Sequence, residues 1–138
     1  MNKDEQIKAQ IEKLRGHIKP FKDQIDLLLQ EQRENELAQM RILFEMHSAD
    51  IFTQTINDEK FKHVRIINME DNRLVCEELT INRDRGNFDE ECVVFHWSYH
   101  PSPAFFHTMN VVMVDRDDVN AKKIHQTMDL LKDIYYTF

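Results

Sequence analysis

Apolar residues in the first third of the chain recur with a helical period. Ile7, Ile11, Leu14, Ile18, Phe21, Ile25 and Leu28 are spaced alternately four and three apart. That is a heptad seam, with Ile11, Ile18 and Ile25 at a and Ile7, Leu14, Phe21 and Leu28 at d. Residues 3 to 47 are dense in Glu, Gln, Lys, Leu and Met, which are good helix formers, so the pattern predicts a long helical arm over residues 1–47. Gln32 and Asn35 then fall on the seam. The apolar face resumes in a new phase with Leu37, Met40, Leu43, Phe44 and His47, which predicts that the two stretches pack on different neighbours. Pro20 removes one backbone bond and crowds the carbonyl of Gly16. Either a kinked helix or a hairpin turning within Gly16–Pro20 satisfies this, and the unbroken phase favours the kinked helix.

Beyond His47 the period changes. Ser48 to Asn57 is ambiguous between a short helix and a strand. His63–Met69, Arg73–Ile81, Cys92–Tyr99 and Phe105–Val114 are rich in β-branched and aromatic residues and read as strands. Glu70-Asp71-Asn72, Asn82 to Glu91 and His100 to Ala104 carry turn chemistry. A closing helix starts near Asp117 or Asp118, with Ile124, Met128, Leu131, Tyr135 and Phe138 on one stripe against the Phe95, Trp97 and Tyr99 face. The fold expected is therefore α+β: the arm, then a four-stranded, mainly antiparallel sheet with helices on one face, and a C-terminal helix. Residues 48–138 form the globular domain.

Charge separates these two parts. Residues 1–47 hold 8 Lys/Arg against 9 Asp/Glu, and residues 48–138 hold 10 against 16, within a total of −7. An acidic domain repels phosphate backbones, which argues against nucleic acid and for a protein partner, in particular a basic one. The seam is flanked by basic e positions (Lys8, Arg15, Lys22) and by Gln10, His17 and Gln24 at g. A parallel homodimer gains no ion pairs from that set, leaving antiparallel self-pairing, an acidic partner helix or back-folding open. Self-association, as a homo-oligomer such as a dimer, is the preferred reading. The longest aliphatic run, Val111 to Val114, is far too short for a membrane span. The polar N-terminus does not resemble a signal peptide. With two cysteines, Cys76 and Cys92, read as buried thiols rather than a bridge, the expected location is cytoplasmic.

Candidate chemistry is sparse. Only Gly16 and Gly86 are glycine, so no phosphate-cradling loop or dinucleotide fingerprint can be written. His96 and His100 share a strand face and His107 follows, a set of three imidazoles that would suit zinc if the register brought them together. Pairing Tyr99 with Phe105 sets Trp97 opposite His107 and places His107 away from His96, so neither a metal nor another cofactor is expected. Ser98 between the two histidines lacks an orienting carboxylate, and Asp115, Asp117 and Asp118 read as helix-capping groups. Adjacent Phe105 and Phe106 must point to opposite faces of a strand. That makes Phe106, with Asp89, Glu90 and Glu91, a candidate partner surface. The functional expectation is a non-catalytic assembly or interaction protein. The alternatives are an acidic inhibitor, immunity protein or dedicated chaperone occupying a basic site, and a small metal-dependent enzyme built on His96, His100 and His107.

Overall fold

The computed structural model describes residues 2–83 and 92–136. It is an α+β chain: α1 (Lys3–His47), β1 (Phe52–Thr55), β2 (Lys60–Glu70), β3 (Arg73–Asn82), β4 (Cys92–His100), a 3-10 turn (Ala104–His107), β5 (Val111–Met113) and α2 (Val119–Tyr136). Two compact units divide it, Met1–Glu36 and Leu37–Phe138.

The first unit is helical from Lys3 onward. Asn2 caps it, its Oδ1 accepting from the Glu5 amide at 2.8 Å. The helix runs through Gly16 and Pro20 without interruption, which disposes of the hairpin alternative. It continues into the second unit, where the phase change in the sequence finds its cause. Leu37, Met40, Leu43 and Phe44 pack on Phe52, Val64, Ile66, Leu74 and Cys76, one face of the sheet.

The sheet has five strands in the order β4-β3-β2-β1-β5, antiparallel at every junction. The β2–β3 hairpin turns on Asp71 and Asn72, with φ of 51° and 59°. Short polar side chains tolerate that left-handed conformation, and a two-residue turn of this kind matches the twist of the strands it joins. The opposite sheet face is covered by α2, where Ile51, Leu79, Phe95 and Met128 form a second apolar cluster, flanked by Ile124 and Leu131. Asp118 caps this helix through the Asn120 amide, at 2.9 Å. Of the stripe expected on α2, Phe138 and the Tyr135 side chain lie outside the described residues.

Several expectations need correction. The strand within Ser48–Asn57 makes the sheet five-stranded rather than four, and helices cover both faces rather than one. The segment Phe105–Val114 is not a single strand beside β4. Its first part is the 3-10 turn, and its last part, β5, pairs with β1 at the far edge through Phe52 opposite Met113. Tyr99 therefore does not pair with Phe105, nor Trp97 with His107. The turn resolves the Phe105–Phe106 conflict, because it lets neighbouring rings pack edge-to-face at 5.0 Å and point into one core. Phe106, expected at an open face, is 8% exposed and packs on Phe52 within the core. Of the aromatic face of β4 only Phe95 is buried, while Trp97 and Tyr99 are about half exposed. Cys76 lies opposite Ser98 and Cys92 opposite Asn82, six positions along the same ladder. That separation is about 20 Å at strand rise, beyond the reach of a disulfide.

Candidate functional site

Two features of this chain have functional potential. The first is the seam of the N-terminal unit. Its seven residues, from Ile11 at 42% to Phe21 at 68%, are all substantially exposed, and none belongs to either apolar cluster. Leu27 and Leu29 widen the stripe beside Leu28. One continuous helix carries this surface, and among the described residues that unit has no other element to cover it. An apolar stripe of this length is uncommon on a helix that remains alone in water.

The second feature is built around Glu78, a β3 residue only 3% exposed. Directly paired residues share a sheet face, so the β3–β4 register sets Glu78 beside His96 and within reach of His100. His96 Nε2 lies 3.1 Å from one carboxylate oxygen and His100 Nε2 3.3 Å from the other, with Lys62 Nζ at 3.6 Å. Burial alone would push this carboxyl up. The His100 and Ser98 hydrogen bonds, with the Lys62 and His96 charges, outweigh it and hold the pKa down at about 2. Nearby, burial and the Glu78 charge push the Cys76 thiol up to about 12, which leaves it inert.

The structure thus brings His96 and His100 together, but through a carboxylate rather than with His107. His107 is exposed on the 3-10 turn and takes no part in the cluster. Ser98 Oγ reaches His100 at 3.3 Å, on the same Nε2 that Glu78 occupies. A nucleophile relay needs the base to use one ring nitrogen for the hydroxyl and the other for the orienting carboxylate. A shared nitrogen gives a hydrogen-bonded knot around Glu78 instead. No group of three or more His, Cys, Asp or Glu among the described residues is arranged to hold a metal ion. Asp115 and Asp118 accept from the Asp117 and Asn120 amides, as capping groups do. Asp89, Glu90 and Glu91 lie outside the described residues.

Sequence reasoning missed two buried ionic groups. On the α2 side of the sheet, Arg65 Nε donates to Glu77 Oε1 at 3.0 Å and its Nη2 to Asp129 at 2.7 Å. Arg65 Nη1 also meets His125 Nδ1 at 3.2 Å. A guanidinium can only donate, so His125 Nδ1 accepts, and its Nε2–H donates to the Ala49 carbonyl at 3.1 Å. Both ring nitrogens of His125 are thereby occupied, and it offers no free base. Beyond the end of α1, Asp50 accepts from Arg116 at 2.6 Å and pairs with His47 at 2.9 Å, while Arg116 also closes on the Met46 carbonyl. The Arg116 hydrogen bond is the main reason that the Asp50 carboxyl is held below its ordinary range. The signal for the first group was a run of charged residues (Arg65, Glu77, Glu78) inside otherwise apolar strands, which demands partners on both faces.

Compared with family models, curated proteins and solved structures, the chain matches none of them. No helix among the described residues is long and apolar enough to cross a membrane.

Proposed function

We propose that this is a non-catalytic assembly protein, in which the N-terminal helix pairs with the same helix of a second copy and the acidic α+β unit is presented to a protein partner. The observation carrying this reading is the exposed seam. Seven large apolar side chains hold heptad phase across Pro20 on an uninterrupted helix. Covering each one fully contributes roughly 1.5–3 kcal/mol relative to full exposure, so a half-exposed residue has about half of that still to gain. A second copy is favoured as occupant because the arm is close to charge-balanced, with 8 basic and 9 acidic residues over 1–47, and so does not repel itself as the acidic remainder would. The pairing is antiparallel, because parallel alignment sets Lys8, Arg15 and Lys22 against neutral or basic g residues. The shared nitrogen at His100, which leaves Ser98 without a relay, and the inert Cys76 support a role without catalysis. Sedimentation equilibrium of the full chain and of an Ile18→Asp/Ile25→Asp variant tests the reading. The wild type should be dimeric and the variant monomeric with its sheet intact.

A further inference from the structure

A cleft of about 450 Å³ opens between the first turns of α2 and the sheet, within the second unit. That volume falls in the ordinary range of small-molecule sites. Its walls are apolar, formed by Phe61, Ile81, Val114 and Ile124. His63 reaches it from β2 with only 7% of its surface exposed. One ring nitrogen, Nδ1, is engaged by Thr53 Oγ1 at 2.8 Å, whereas Nε2 has no hydrogen-bond partner among the described residues. Burial holds the His63 pKa down to about 4, so near neutrality the ring has one N–H and one lone pair and no charge.

The lining is also unusual in sign for an acidic protein. Among the described residues of the lining, Lys123 and Arg83 are the cations and Asp118 the carboxylate. That carboxylate already accepts from the Asn120 amide as the cap of α2. The cleft therefore has an apolar body, a cationic margin and, set in its wall, a neutral imidazole with one unused polar atom. Aromatic surface, positive charge and the open Nε2 of His63 together define a ligand chemistry.

We propose that this cleft binds a small amphipathic monoanion. Its carboxylate pairs with Lys123, its apolar or aromatic body lies along Phe61 and Ile124, and a neutral hydroxyl meets Nε2 of His63. The proposal is independent of pairing through the arm.

The test uses the full chain, labelled with nitrogen-15, titrated with para-hydroxyphenylacetate while the His63 ring nitrogens are followed by NMR. Phenylacetate lacks the hydroxyl, and para-hydroxyphenethyl alcohol lacks the acid. The expected result is a saturable shift of His63 Nε2 with the first probe and weaker binding of phenylacetate with no Nε2 shift. Lys123→Ala, an exposed change that leaves the core untouched, should weaken both acids about tenfold and leave the alcohol unchanged. Equal affinity for all three probes, indifference to Lys123→Ala, or no saturable shift at His63 would overturn the assignment.

Discussion

Replacing Arg65 by methionine would leave a carboxylate stranded beneath α2. Glu77 is 1% exposed, and its nearest cation besides Arg65 is Lys132, whose Nζ sits 3.6 Å from Oε2 with a side chain 43% exposed. Truncation also deprives His125 Nδ1 of its donor. Removing one partner of a buried ion pair costs about 3–5 kcal/mol because the other charge stays buried and unpaired. Lys132 offsets part of this, so about 3 kcal/mol is expected, a large share of the ~5–15 kcal/mol that holds a small domain together. Removing both charges, as in Arg65→Met/Glu77→Leu, should recover most of the loss, because the desolvation penalty goes with the second charge. Asp129, 67% exposed in its side chain, should cost under about 1 kcal/mol as Asp129→Ala. Urea unfolding at fixed protein concentration, read as midpoint at unchanged slope, gives each value. A loss below about 1 kcal/mol for Arg65→Met, or a double variant as unstable as the sum of the singles, would show that Glu77 is not held by Arg65.

Acid should destabilise the protein in two stages. The His63 pKa falls from 6.5 unfolded to about 4 folded, so its contribution is complete above 6.5 and is lost as pH drops toward 4, by roughly 3 kcal/mol at most. Glu78, held at about 2 against 4.5 unfolded, adds a further loss between those values. Urea midpoints should therefore fall between pH 7 and pH 5 in the wild type, and His63→Phe should flatten that first stage; an unchanged slope would count against neutral burial of the ring. Gly16 lies in helical backbone with no positive φ, and an added Cβ there would meet nothing within 4 Å, so Gly16→Ala should stabilise the arm by about 0.5–1 kcal/mol. Slower amide exchange around residue 16 would register it, and faster exchange would argue for a turn there.

Local periodicity made most of the elements readable. The heptad seam, its change of phase after Asn35, the three long strands and the capped closing helix follow from spacing and turn residues alone. What escaped was decided by contacts distant in sequence. Phe105 and Phe106 look like strand residues, yet Pro101, Ser102 and Pro103 before them favour a turn, and Thr108 Oγ1 closes it on the Phe105 carbonyl at 2.6 Å. β5 is only three residues long, and no local pattern shows that it crosses to β1. Glu77 and Glu78 are consecutive, so they point to opposite faces of β3, and each finds its cations on other elements. The histidine cluster was half legible. Period two placed His96 and His100 on one face, but the carboxylate that joins them comes from the neighbouring strand, and His107 was assigned to a strand that is in fact a turn.

Assembly through the N-terminal helix is read out by sedimentation equilibrium across a concentration series. The wild type should have twice the chain mass and Ile18→Asp/Ile25→Asp the single-chain mass of 16.6 kDa, with unchanged strand signal in circular dichroism. A wild type that sediments as a single chain throughout, or a variant that stays dimeric, would contradict it.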